Sequence, residues 1–78
     1  MKKSDVRINA LCELKICLAR MAGAVGEYEK SVLYYEEAAD IVWQCVKAGD
    51  GGRVFLLIKL LAEYMSVRRQ LRKFVNRE

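Results

Sequence analysis

Gly26-Glu27-Tyr28-Glu29-Lys30-Ser31-Val32, followed by Tyr35 and Ala38, is the stretch whose reading decides the fold. A glycine stop runs straight into a segment where Tyr28, Ser31, Tyr35, Ala38, Val42 and Val46 recur every three or four residues, and so share one helical face. Small residues on that face let a neighbouring helix approach, and the tyrosines fill the space beside it. The stretch predicts a helical hairpin, with one helix ending at Gly23 to Gly26 and a second starting at Glu27.

Upstream, Ser4 is placed to cap a first helix and Asp5 to sit in its first turn, where the helix dipole favours negative charge. Downstream, Gly49-Asp50-Gly51-Gly52 is the strong internal loop signal, with glycines able to take the positive φ of a helix C-terminus. A third helix then follows from Arg53 to Arg77. The absence of Pro and the confinement of five Gly to two places favour long helices over a sheet. The expected architecture is all-α, an antiparallel three-helix bundle forming a single domain over residues 1–78, with helices over 4–23, 27–48 and 53–77. A chain of 78 residues buries only roughly 60% of its unfolded surface, so its core must be economical.

The faces of the three helices differ. Helix 2 gathers Glu29, Glu36, Glu37, Asp40, Gln44 and Lys47 opposite its apolar face, which sets a mainly acidic side toward water. In helix 1, Leu11, Leu14, Cys17, Leu18, Met21 and Val25 form one stripe, while Ile8, Cys12, Ile16 and Ala19 widen the apolar arc; contact with both other helices is expected. In helix 3, Leu57, Leu60, Tyr64, Leu71 and Phe74 form one stripe. Val54, Ile58, Leu61 and Met65, with Ala62 beside them, form a second that runs into Arg68, Arg69 and Arg72. A three-helix bundle needs one stripe per helix for its core. The second stripe is therefore a candidate docking surface, an apolar strip rimmed with charge. The bland alternative is that both neighbours cover it. Trp43 falls at the edge of helix 2's apolar arc and either floors this groove or is a partly buried core aromatic.

Charge is uneven: residues 1–65 carry nine basic and nine acidic side chains, while residues 66–78 carry five basic ones and Glu78. The net charge of +4 thus resides in the last helix. Arg68, Arg69, Arg72, Lys73 and Arg77 either complement the helix dipole as a solvated end or form a positive patch. Nucleic acid is a disfavoured ligand, since no aromatic residues interleave with the arginines and the acidic arc of helix 2 repels phosphate.

Three cysteines, Cys12, Cys17 and Cys45, lack CxxC spacing and lie among apolar residues, which points to buried thiols in a reduced, cytoplasmic setting. With no His, no metal site is expected. Asp5, Arg7, Glu13, Lys15 and Arg20 interrupt any signal-peptide core, and the longest apolar run, from Val54 to Ile58, falls far below a membrane span. No catalytic triad, phosphate loop or paired carboxylate motif is present, so neither catalysis nor a cofactor or small-molecule substrate is expected.

Gly26, Glu27, Tyr28, Glu29, Lys30, Ser31 and Val32, with Tyr35 and Ala38, resemble the opening of the second helix of the MIT (microtubule-interacting and trafficking) domain. Glu63, Tyr64, Met65, Leu71 and Arg72 resemble that family's third-helix Glu-Tyr-Leu and later leucine and lysine. Tetratricopeptide repeats share much of the second-helix pattern, but a two-helix repeat does not supply the long third helix. MIT domains are three-helix modules found on vacuolar-sorting AAA ATPases, microtubule-severing ATPases, and some kinases, proteases and deubiquitinases. In those of the sorting ATPases, the groove between helices 2 and 3 receives an amphipathic helix from ESCRT filament subunits, and the aliphatic residue matching Met65 lies in it. The resemblance implies a non-catalytic trafficking adaptor that binds a leucine-containing peptide with Met65 in its groove, and the second stripe and its flanks extend the candidate site to Leu61, Ile58, Ala62, Trp43, Arg68, Arg69 and Arg72. This chain departs from the family where Val67, Arg68 and Arg69 replace an Arg-Ala-Glu run. Charge complementarity then favours a partner peptide with acidic residues around its leucines. Self-association through the second stripe, or its burial against an adjoining domain, is the structural alternative.

Overall fold

A computed structural model describes the backbone of residues 3–76 and the side chains of 7–75. The expected cap at Ser4, the first-turn role of Asp5 and the contribution of Arg77 lie outside the described side chains and residues. Three α-helices make up the described chain: α1 (Lys3–Ala24), α2 (Tyr28–Lys47) and α3 (Val54–Asn76), with a short 3₁₀ turn at Gly51–Arg53 before α3. Each lies within a residue or two of the expected segment. Arg53 belongs to the turn instead of α3, its Nε 2.6 Å from Asp50 Oδ2.

Both connections end a helix in the same way. After α1, the Glu27 N–H donates to Ala22 O (2.8 Å) and the Gly26 N–H to Gly23 O (3.3 Å); after α2, the Asp50 N–H donates to Cys45 O and the Gly49 N–H to Val46 O. This paired closure needs one residue in the left-handed region. Gly26 (φ 84°) and Gly49 (φ 111°) supply it, and these are the positive-φ positions the loop signals predict.

The face read on α2 forms the centre of the molecule: Ser31, Tyr35, Ala38 and Val42 are buried. Against it α1 places Cys12, Ile16, Ala19 and Ala22, and α3 places Leu60. The fit of α1 on α2 is close because the meeting residues are small. The Ser31 hydroxyl donates to Ala19 O at 2.6 Å, and a Cβ added to Gly23 would lie only 3.3 Å from Ser31 Oγ. A buried hydroxyl is tolerable because its proton has this partner.

The three helices form an open, elongated bundle, 49 × 18 × 13 Å in its Cα extents. α2 packs along both neighbours, whereas α1 and α3 touch far more sparsely. α1 does reach both helices, packing on α2 and meeting α3 through Arg20 on Glu63; its buried side is the Cys12, Ile16, Ala19 and Ala22 side, and Leu11, Leu14, Cys17, Met21 and Val25 are exposed. Two expectations are corrected by this openness. Of the three cysteines only Cys12 is buried; Cys17 is exposed and Cys45 half-buried. Phe74 is exposed, because α3 runs past the start of α2 and has only the Gly26–Lys30 turn beside it.

Candidate binding face on helix 3

The seam between α2 and α3 is held by polar cross-links around a single fully buried α3 residue, Leu60. Glu63 is the hub on the side toward α1. Its carboxylate accepts from Arg20 Nε (3.0 Å) and Nη2 (3.1 Å) and from the Tyr35 hydroxyl (2.9 Å). The Arg20 guanidinium holds the Glu63 carboxyl below its ordinary range despite partial burial, with Tyr35 helping. Burial, then the bond to Glu63, raises the Tyr35 phenol. This carboxylate is the main polar link among all three helices.

On the opposite edge of the same seam, the Tyr64 hydroxyl donates to Glu36 Oε1 of α2 at 2.8 Å, which raises the Tyr64 phenol. Arg68 Nη1 donates to the Tyr64 oxygen at 3.4 Å, and its guanidinium lies 5.9 Å from the Tyr64 ring centroid. Adjacent residues of one motif thus diverge: Glu63 ties α3 to α1 and the core face of α2, and Tyr64 ties it to the acidic arc.

Beyond Tyr64 lies the second stripe. Ile58, Leu61 and Met65 are 58%, 43% and 58% exposed, and Val54 and Ala62 are exposed with them. Neither neighbouring helix covers the strip, so it is not core. Met65, Arg68, Arg69 and Arg72 together line one shallow depression of about 190 Å³. Hence four of the residues singled out in the sequence share a concavity, and Ile58, Leu61 and Ala62 continue the surface toward the start of α3. Trp43 is not in that depression. It stands 47% exposed on the edge of α2 that turns toward α3, by helical position near Ala39 and Glu36. Among the described residues, no carboxylate pairs with Arg69, Arg72 or Lys73.

Sequence reading missed one concave region at the far end of the bundle. There Ile8 and Asn9 of α1, Cys45 of α2, Ala48 and Asp50 of the connection after it, and Arg53 of the 3₁₀ turn surround about 510 Å³. The Arg53 guanidinium is 3.5 Å from Cys45 Sγ there. No periodicity pointed to it, because it forms where three segment ends meet. No group of His, Cys, Asp or Glu among the described residues is placed to hold a metal ion, and no helix among them is long and apolar enough to cross a membrane. Compared with known proteins, the chain matches no family model, no curated protein and no solved structure.

Proposed function

We propose that this chain is a non-catalytic protein-interaction module of the MIT-like kind, which binds a short leucine-containing segment of a trafficking partner along the outer face of α3. The observation that carries this reading is the uninterrupted exposure of Ile58, Leu61 and Met65 leading into Arg68, Arg69 and Arg72. Desolvating that strip is the favourable term, and its apolar residues recur at the spacing an amphipathic helix or extended peptide would match. The arginines orient the ligand: a segment with acidic residues at one end and leucines at the other is complementary in one direction only. Trp43, on the α2 side of the seam, adds aromatic surface within reach of a ligand spreading toward α2. A segment that orders on binding offsets its entropy with few anchors, so micromolar dissociation, roughly 8 kcal/mol, is the natural scale. The setting in this reading is cytoplasmic, with endosomal recruitment through the partner.

The test is a pulldown with the wild-type and Met65→Asp chains, followed by calorimetric titration of the recovered peptides. Loss of binding by a Met65→Asp variant with unchanged helicity supports the reading, and unchanged affinity ends it. Charge reversal at Arg68 and Arg69 should shift preference away from acidic peptides.

The unpaired Arg69, Arg72 and Lys73 favour one alternative, in which the C-terminal half of α3 binds phosphates of nucleic acid or an anionic membrane. Salt separates the two. Phosphate binding weakens steeply as counterions compete, whereas docking of leucines persists in moderate salt.

A further inference from the structure

A second apolar face of α1 is left largely uncovered at the side of the bundle. Leu11, Leu14, Leu18, Met21 and Val25 step by three, four, three and four residues, the spacing of a coiled-coil seam. Cys12, Ile16, Ala19 and Ala22 pack on α2, and the seam runs along the side of α1 next to that packed face. Leu14, Met21 and Val25 are 54%, 66% and 73% exposed; Leu18, at the middle, is half-buried beside Tyr34. No charged residue interrupts the seam from Leu11 to Val25.

We propose that this seam is the interface of a homodimer in which α1 of one copy packs antiparallel against α1 of a second. Three observations select a second copy as the occupant. The seam is nearly symmetric about Leu18, so a two-fold axis there sets Leu11 opposite the partner's Val25 and Leu18 against its own counterpart, with Leu14 and the partner's Met21 offset by a single residue. Such a surface is self-complementary, as a two-fold interface requires.

The flanks also fit. In an antiparallel pair, residues on the same flank of the seam face each other across the axis. One flank carries the exposed Ala10, Cys17 and Ala24, so Ala10 meets the partner's Ala24 and Cys17 the partner's Cys17, all small enough for close approach. The other flank turns toward α2, where Ala22 is buried, so among the described residues Lys15 is the one charged residue on that edge of the seam. Lys15 is moreover neutralised within its own chain, its Nζ 2.6 Å from Glu37 Oε2.

Charge completes the match. Arg7, exposed and one turn before Leu11, extends the line of the seam, while Glu27 lines the same shallow depression as Met21 and Val25 at its other end, its Oε1 3.7 Å from Lys30 Nζ of the same chain. Antiparallel pairing carries each Arg7 toward the partner's Glu27. The seam and its small flank expose on the order of 500 Å² per copy, which brings the total to the ~1,000 Å² at which specific interfaces begin. An interface at that lower limit is expected to be weak, with dissociation in the micromolar range. This proposal uses a different face from the α3 reading and stands or falls separately from it.

Sedimentation equilibrium of the full chain from 5 to 500 µM, about two decades around that range, is the test. A monomer–dimer equilibrium is expected, at least tenfold weakened by Leu14→Lys or Met21→Lys and unaffected by Met65→Asp. Because both lysine substitutions fall at exposed sites, far-UV circular dichroism should show unchanged helix content. A short bismaleimide added to a Cys45→Ser chain should trap a covalent dimer that Cys17→Ser removes, since only the antiparallel register brings the two Cys17 thiols together. Arg7→Glu and Glu27→Arg should each weaken the dimer several-fold, and the two together restore it. A chain that stays monomeric at every concentration, a dimer indifferent to Leu14→Lys, or a dimer without the Cys17 cross-link overturns the proposal.

Discussion

The two interfaces of α2 are built on opposite plans. Against α1 it presents Ser31, whose buried hydroxyl donates to Ala19 O, and Ala38, whose carbonyl faces the Cys12 thiol, with one ion pair, Lys15 on Glu37, at the edge. Against α3 it packs Leu60, and the rest of the seam is tied by carboxylates, Glu63 on Tyr35 and Arg20 and Glu36 on Tyr64. Close approach of small residues leaves the long side chains of α1 with nowhere to go but outward. A polar-stitched contact leaves α3 with one covered stripe and one bare one. Each outer helix thus ends with surplus apolar surface, but for different reasons, and on α3 the surface runs into a cluster of arginines, Arg68, Arg69 and Arg72.

The largest test of this contrast removes the one fully buried α3 residue. Leu60→Ala should destabilise the fold by about 2–5 kcal/mol, since little else on α3 can refill the cavity. Urea unfolding followed by circular dichroism measures it, and a loss under 1 kcal/mol would show that the polar links hold α3 by themselves. Next, Ala19→Leu should cost about 1–3 kcal/mol by overpacking the α1–α2 contact, where Ala19 has no exposed surface. The same change at exposed Ala62 should be nearly neutral.

Gly26→Ala and Gly49→Ala probe the two connections. Both residues hold positive φ in the same closure, so each should cost about 1 kcal/mol, and unequal losses would show that one hairpin is more tightly set than the other.

The smallest effect is electrostatic. The Glu63 carboxyl titrates below its ordinary 4.5 in the folded chain. Its contacts with Arg20 and Tyr35 therefore stabilise fully above that pH and are lost as pH falls through the lowered folded value. Because Arg20 is half exposed, the contribution is about 0.5–1 kcal/mol. Glu63→Gln should flatten the stability profile below pH 4.5. Tyr35 works in the other direction: its phenol is raised, so stability declines as pH rises above 10. A Glu63→Gln chain with an unchanged acid profile would place the acid sensitivity on other carboxylates.

Local rules were enough for much of this. The buried face of α2 was legible because helical period and residue size are properties of a single segment, and both closures were legible because the left-handed positions there are glycines. The bare stripe of α3 was legible as a surplus, one apolar line more than a bundle requires. The exposure of Cys17 and Phe74 was not, since it depends on where neighbouring helices begin, end and lean.

By itself the sequence determined three helices, their limits and the side on which α2 meets its neighbours, because period, capping and steric freedom act within a few residues. Only the tertiary structure decided which of the two apolar lines of α1 turns inward. Hydrophobicity favoured the leucine line, but the alanines of α1 fit the serine and alanine of α2 at short range, and close packing is a property of a pair of surfaces. Tertiary structure also parted Glu63 from Tyr64, since neighbours on a helix point to different sides of a seam and find partners that no local pattern names.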